Sequence, residues 1–332
     1  MPQKFETLLL SNKDVEDVLA WDDVFEAVER TWGEYALGRV LNPAKLGLDL
    51  GESGGWPHHN AFMNAMPAYI GHLDTAGLKW AGGFWNNIKR GLPYIWAMIL
   101  LIDPETGVFK AVMEGALITT LRTAAQSVIG MKYLAKRDFQ NISIFGAGMQ
   151  GRYHVKAISK AFPGREISAC DIDPSALKKL VDDARDEGIE IVGRSPEECA
   201  ESDVVITVTT SKTPFFRGEW VKRGHALFAL GSYQEYHPEA IKKADKIVVD
   251  HVEQALHRGA IKPLSERGEI TAKNIHATIG EIIAGRKSGR TNGDEVIFFV
   301  PIGMGMLDIA VADIAYKRAL EKGRGSYFEF RR

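Results

Sequence analysis

Asn141-Ile-Ser-Ile-Phe-Gly146-Ala-Gly148-Met-Gln-Gly151 runs from a short β-type apolar segment into a glycine triplet and then a helical pattern. It reads as a strand, a tight turn and a helix N-terminus. The first glycine lets the backbone turn and the second lets it approach a pyrophosphate. The third lets the helix pack on the strand while its free N–H groups face the anion. In a chain with 33 glycines the triplet alone says little. Its context adds weight, because a second strand, Glu166-Ile-Ser-Ala-Cys170, ends at Asp171, twenty residues past Gly151. A dinucleotide fingerprint places an acid for the ribose hydroxyls there. The cofactor expected is NAD: Asp171 should repel a 2′-phosphate, and Ile172 and Asp173 supply no arginine to receive one. Lys212, in Thr210-Ser-Lys-Thr213, keeps NADP open.

The length of 332 residues predicts two domains, and 45% hydrophobic with 25% charged residues is an ordinary globular balance. A net charge of -2, with 41 basic and 43 acidic residues interspersed, argues against nucleic acid and anionic membrane as partners. A small molecule is the partner expected. Two cysteines, Cys170 and Cys199, make neither a disulfide framework nor a thiolate metal site. Reduced thiols, no apolar leader at Met1-Pro-Gln-Lys-Phe-Glu and a longest apolar run of only Ile95 to Ile102 fit a cytoplasmic protein.

Along the chain, Ser11-Asn-Lys-Asp14 resembles a capping box, and the spacing after it predicts two amphipathic helices as the opening elements. Strand patterns follow between Lys45 and Val112, with a hairpin turn at Asp103-Pro-Glu-Thr-Gly107. Periodicity from Ala116 to Leu134 predicts a long helix that delivers the chain to the glycine turn. Short β runs then alternate with helices, the pattern of a parallel doubly wound sheet. From Gly268 to Gly285 the chain reads as polar and helical, and Gly303-Met-Gly-Met-Leu-Asp308 opens a last helix. The fold expected is therefore α/β: a Rossmann doubly wound sheet over 123-302, plus an α+β substrate and dimerisation domain over 1-122 and 303-332, completed by the C-terminal helix.

Two basic residues sit in apolar surroundings. Lys79 lies in the strand Ala76-Gly-Leu-Lys-Trp80, where it either points into a cleft or guards an edge. Arg122 lies in Leu121-Arg-Thr-Ala-Ala125, inside an apolar helix where an unpaired guanidinium would be costly; a structural ion pair is the alternative to a ligand site. Lys45 is a loop lysine. His58-His59 is an adjacent pair without a third ligand at metal spacing, and no metal site is expected. The aromatics Trp80, Phe84, Trp85, Tyr94 and Trp96 read as core, with a wall for a larger substrate side chain as the alternative.

Lys45, Met66-Pro-Ala68 with Lys79 after it, Gly91-Leu-Pro93, Asp103 before Thr106-Gly107, Leu121-Arg-Thr-Ala-Ala125 and Gly146-Ala-Gly-Met-Gln-Gly151 resemble, in that order, the ornithine cyclodeaminase/mu-crystallin family. The resemblance covers nearly the whole chain. It implies a homodimer, a Rossmann domain and an α+β domain carrying substrate and dimer contacts. It further implies that Lys45, Lys79 and Arg122 bind a substrate carboxylate, with Lys79 and Arg122 catalytic and Met66, Asn64 and Tyr233 beside the substrate. The cofactor set comprises Gly146, Gly148, Met149, Gln150, Gly151 and Asp171, with Thr209 and Thr123. Two positions depart from the cyclodeaminase pattern: Tyr233 stands where an aspartate handles the substrate amine, with Glu235 two residues further on, and Asn64 stands where a glutamate precedes Met-Pro. The activity implied is a nicotinamide-dependent oxidoreductase interconverting an α-amino acid, or an N-substituted one, and its keto or imino acid. Ornithine cyclodeaminase and a non-catalytic, mu-crystallin-like binding protein are the alternatives.

Overall fold

The computed structural model describes residues 5–231 and 233–331. In chain order the strands are β1 (Phe5–Leu10), β2 (Val40–Leu41), β3 (Leu46–Asp49), β4 (Ala61–Ile70), β5 (Thr75–Phe84), β6 (Ile95–Ile102) and β7 (Phe109–Glu114). These are followed by β8 (Asn141–Phe145), β9 (Glu166–Cys170), β10 (Val192–Gly193), β11 (Val204–Thr207) and β12 (Ala226–Ala229). The last are β13 (Lys246–Val249), β14 (Ile275–Thr278), β15 (Ile297–Val300) and β16 (Ser326–Arg331). The chain divides into two compact units, Met1–Arg122 with Met304–Arg332, and Thr123–Gly303. Gly303 falls in the second unit, one residue from the sequence-based boundary, because its N–H donates to the Asp250 carboxylate at 2.6 Å.

In the first unit the sheet runs β16-β1-β7-β6-β5-β4-β2, with β3 also on β4. Its pairings are antiparallel apart from β1 on β7. The closing helix Gly305–Lys322 packs on β4, β5 and β6 and on helix Trp21–Ala36. It is buried on nearly all sides in its first half, from Gly305 to Asp313, which is why its apolar residues do not form a single stripe. Close approach is built in by two glycines. A Cβ on Gly305 would lie 2.7 Å from the Met66 carbonyl oxygen, and one on Gly77 would lie 2.8 Å from Ile309 Cδ1.

The second unit is a parallel sheet in the order β10-β9-β8-β11-β12-β15-β13-β14. The direction of winding reverses between β8 and β11, the switch point where an open α/β sheet leaves a crevice at its carboxyl ends. Both strands finish level, Phe145 against Thr207. The interior strands β8, β11, β12 and β15 are buried almost throughout, as expected of strands covered on both faces.

Some sequence-based elements are revised. A strand, β1, precedes the two opening helices; its partners β7 and β16 lie about a hundred and more than three hundred residues away in sequence, so no local pattern announces it. The segment read as helical after Gly268 contains β14, which the parallel partner β13 stabilises. The run Ile189–Val192 reduces to the two-residue β10. Trp80 and Trp96 are 45% and 53% exposed rather than core, because strand alternation turns them to the face away from the closing helix. No helix among the described residues is long and apolar enough to cross a membrane.

Of the two outer glycines of the turn, Gly151 is fixed by the protein itself: a Cβ there would lie 2.0 Å from the Gly146 carbonyl oxygen. Gly151→Ala should therefore lower stability by about 1–3 kcal/mol. Thermal unfolding unchanged from the wild type would contradict this packing.

Candidate functional site

In the first unit the chemistry-bearing side chains converge on one carboxylate. Asp308, in the first turn of the closing helix, has its Oδ2 2.7 Å from Lys79 Nζ and its Oδ1 2.9 Å from Arg122 Nε. The Thr119 hydroxyl lies 3.1 Å from the same Oδ1 and 3.3 Å from Lys79 Nζ. Each member arrives by a separate local rule. Lys79 sits mid-strand on β5 opposite Met66 on β4, and Gly305 packs on the Met66 backbone, so the helix turn bearing Asp308 is held over Lys79. The Met306 N–H is taken up by Asn42 Oδ1 at 2.8 Å. Thr119 and Arg122 are three apart on helix Ala116–Leu134, hence on one face. That helix is started by Glu114, whose carboxylate accepts the N–H groups of Ala116 and Leu117.

Lys79, Arg122 and Asp308 are 2%, 6% and 0% exposed. Burial pushes the Lys79 pKa down to about 8, with the Arg122 charge adding to the effect and Asp308 opposing it. For Asp308, burial favours the neutral acid, but the charges of Arg122 and Lys79 prevail and hold its pKa below the usual carboxylate range. Two bases thus share one anion, and one of them is left titratable near neutral pH. Lys79 is not an edge lysine, since β5 is flanked by β4 and β6.

The other substrate positions named from the sequence also lie in this unit, with one exception. Asn64 and Met66 are buried on β4, facing Ala81 and Lys79 across the ladder. Lys45 is half-buried in the loop between β2 and β3. Tyr233 belongs to the second unit, half-buried in the loop after β12. Glu235, the nearby alternative carboxylate, is fully buried and bonded internally to Thr207 and Thr209, so it does not replace the aspartate absent at Tyr233.

In the second unit β8 leads through Gly146 to helix Met149–Ala161. Gly146 has φ +115° and turns against Val208 and Thr209, the residues that follow β11. Gly148 is the helix N-cap with no side-chain cap bond, and a Cβ on it would meet nothing within 4 Å. Its missing side chain is thus not required by the protein's own packing. Space there and uncapped N–H groups form a cradle for an anion. Met149 is exposed and Gln150 half-buried at its rim, and Thr209 and Thr123 are half-buried. Asp171, at the end of β9, accepts the Ala147 N–H on Oδ2 at 2.6 Å and the Asp173 N–H on Oδ1 at 2.8 Å. It ties the turn to the second strand and keeps lone pairs for further donors. His58 and His59 lie exposed in a loop, and no group of residues among those described is arranged to hold a metal ion.

In the sequence Asp308 reads only as the end of the segment that opens the last helix. Its partners lie 229 and 186 residues away, and the usable signal was an aspartate one turn into an apolar helix. Asp308→Ala would leave two buried bases without their shared anion, a loss of about 3–5 kcal/mol. A melting temperature like that of the wild type would contradict this arrangement.

Comparison with known proteins places these features in a family. The sequence profile of the ornithine cyclodeaminase/mu-crystallin family matches residues 5–323. An alanine dehydrogenase of Archaeoglobus fulgidus is 38% identical over 98% of this chain and 99% of its own length. Among solved structures, an archaeal alanine dehydrogenase dimer with bound NAD superposes with a TM-score of 0.91 at 36% identity, over 98% of this chain and 100% of that one. The Delta(1)-pyrroline-2-carboxylate reductase of Thermococcus litoralis, in complex with NADH and L-proline, gives 0.89 at 34% identity, over 96% and 99%. With residues 5–323 matched by the family profile and 98% of the chain aligned to a relative 38% identical, the chain belongs to the ornithine cyclodeaminase/mu-crystallin family.

Proposed function

We propose that the protein is an NAD-dependent oxidoreductase that interconverts an α-amino acid, or an N-substituted amino acid, and its keto or imino acid. The observation that carries the reading is the buried Lys79–Asp308–Arg122 cluster, in a chain so similar to an alanine dehydrogenase and a pyrroline-carboxylate reductase. The residues fit the cofactor: the Gly148 cradle takes the pyrophosphate and Asp171 the adenosine ribose, with Met149, Gln150, Thr209 and Thr123 alongside. Bound NAD supplies the acceptor, and NADH the donor, of hydride at the substrate α-carbon.

The chain's own residues hold the acid and move the proton. Arg122, with Lys45, binds the substrate carboxylate through charge-assisted hydrogen bonds that fix its plane. Lys79 exchanges a proton with the substrate nitrogen, accepting it as the amine becomes an imine and returning it in the reverse direction. Asp308 and Thr119 hold the Lys79 amine in place. Asn64 and Met66 shape the pocket for the side chain. A neutral tyrosine and a neutral amide where cyclodeaminases carry carboxylates favour a redox outcome over ammonia release from a diamino acid.

The outer face of the first unit's sheet supports a homodimer. Trp80 on β5 pairs with Met98 on β6 and with Ala65 on β4, which in turn faces Leu46 on β3. Trp80, Met98 and Leu46 are 45%, 58% and 68% exposed, a continuous apolar row across the strands. A cytoplasmic location goes with this reading, the two cysteines being free and buried.

Absorbance of reduced nicotinamide with NAD and a panel including L-alanine and L-proline tests the activity; no reduction with any α-amino acid, and no reverse oxidation with the imino acids, would refute it. Lys79→Ala and Arg122→Ala each leave one base on Asp308, a balanced pair, so folding and NADH affinity should persist. Lys79→Ala should lower kcat at least ten- to hundredfold, and Arg122→Ala should lower kcat/KM by about tenfold or more, mainly through KM. Loss of fold in step with rate would return both to a structural role. With the Lys79 pKa near 8, amino-acid oxidation should rise with pH through about 8 as the amine becomes neutral. Imine reduction should fall over the same range, and a rate flat from pH 7 to 9 in both directions would contradict the assignment. Asp171→Ala should erase a preference for NAD over NADP in binding titrations. Trp80→Asp with Met98→Asp should convert a dimer to monomer by sedimentation, and a wild type already monomeric at micromolar concentration would exclude the dimer.

A further inference from the structure

Glu235 lies in the loop after β12 and is fully buried. Its Oε2 accepts the Thr207 hydroxyl at 2.5 Å, and its Oε1 accepts both the Thr209 N–H at 2.8 Å and the Thr209 hydroxyl at 2.6 Å. Its own carbonyl accepts the N–H groups of Phe215 and Phe216 at 2.8 and 2.9 Å, which anchors the residue. What it fastens is the end of β11. Thr207 is level with Phe145, and Val208 and Thr209 form the surface against which the first glycine turns: a Cβ on Gly146 would lie 3.1 Å from the Val208 carbonyl and 3.3 Å from the Thr209 nitrogen. A buried carboxylate therefore stands directly behind the wall of the anion cradle.

No cation pairs with it among the described residues. Burial pushes its pKa up to about 7, against the hydrogen bonds from Thr207 and Thr209 that hold it down. The Tyr236 phenol is raised well above its ordinary range by burial, and Phe215 and Phe216 are apolar. On the helix after the turn, burial pushes His154 down to about 4, and Arg152 is paired with Asp183. The acid form also has a place to put its proton. Oε2–H donates to Thr207 Oγ1, whose own hydrogen turns to the Phe228 carbonyl oxygen 3.4 Å away, while Oε1 keeps Thr209.

We propose that Glu235 is a positioning residue for the cofactor, and that binding of a dinucleotide at the glycine turn is accompanied by uptake of a proton from solvent onto its carboxylate. This rests on the reading of the turn as a dinucleotide site. Two phosphate charges arriving beside a buried, uncompensated carboxylate disfavour its ionised form. By reciprocity, protonation of Glu235 strengthens phosphate binding by the same factor. Affinity rises as the pH falls toward the pKa of the free protein and levels off below it.

NADH fluorescence titrations of the full chain from pH 6 to 9, with calorimetry at pH 7.5 in buffers of different ionisation heat, test this. The expected result is binding tighter by roughly three- to tenfold at pH 6.5 than at pH 8.5, a factor of ten for each unit by which NADH raises the pKa, with net proton uptake. Glu235→Gln should flatten the profile while leaving NADH binding measurable. Thr207→Val, which removes a hydrogen bond that holds the Glu235 pKa down, should move the tightening to higher pH and decides the attribution if the glutamine variant fails to fold. Binding independent of pH, absence of proton uptake, or a wild-type slope in either variant would overturn the proposal. Failure to bind NADH at any pH would instead remove the dinucleotide reading itself, and this proposal with it.

Discussion

One buried carboxylate, Asp308, balances two buried bases, and much of the first unit is arranged so that it can. Gly305 and Gly77 carry no side chain because the closing helix must lie against β4 and β5 closely enough to bring Asp308 to Lys79. Thr119 and Arg122 share a helix face for the same reason. A carboxylate in such a place would be neutral if alone, and either base would be deprotonated or excluded. Together they persist as ions, but burial, which an anion shared with Arg122 only partly offsets, leaves the lysine poised near neutrality. A buried group that changes protonation at working pH is what a proton-transfer step requires.

The second unit solves a separate problem with backbone rather than charge. The cradle at Gly148 offers uncapped N–H groups and open space, and the carboxylates nearest it, Asp171 and Glu235, serve to fix loops: Asp171 ties the turn to β9, and Glu235 ties the end of β11. Anion recognition by N–H groups with acids as braces limits the ligands such a turn accepts. A diphosphate flanked by a ribose suits it.

The glycine turn, the parallel sheet and the isolation of Lys79 and Arg122 in apolar segments were legible in the sequence because each rests on local spacing or on a residue out of keeping with its neighbours. Asp308 was not, since a single aspartate in a helix acquires meaning only from partners about two hundred residues away. The same limit hid β1, whose pairing with β16 joins the two ends of the chain, and β14, whose four residues depend on β13. Trp80 and Trp96 misled because composition reports how apolar a strand is but not which face is covered. Glu235 read as a loop acid, and only its burial shows it to be a brace.

The proposed reaction passes hydride between the substrate α-carbon and the nicotinamide, with no elimination of ammonia at constant redox state. Turnover of α-deuterated L-alanine or L-proline with NAD, followed by mass spectrometry of the nicotinamide, tests it most directly. One deuterium in the reduced cofactor and accumulation of keto or imino acid in equal amount are expected. Ammonia and a cyclised amino acid released from L-ornithine, with no net reduced cofactor, would contradict it.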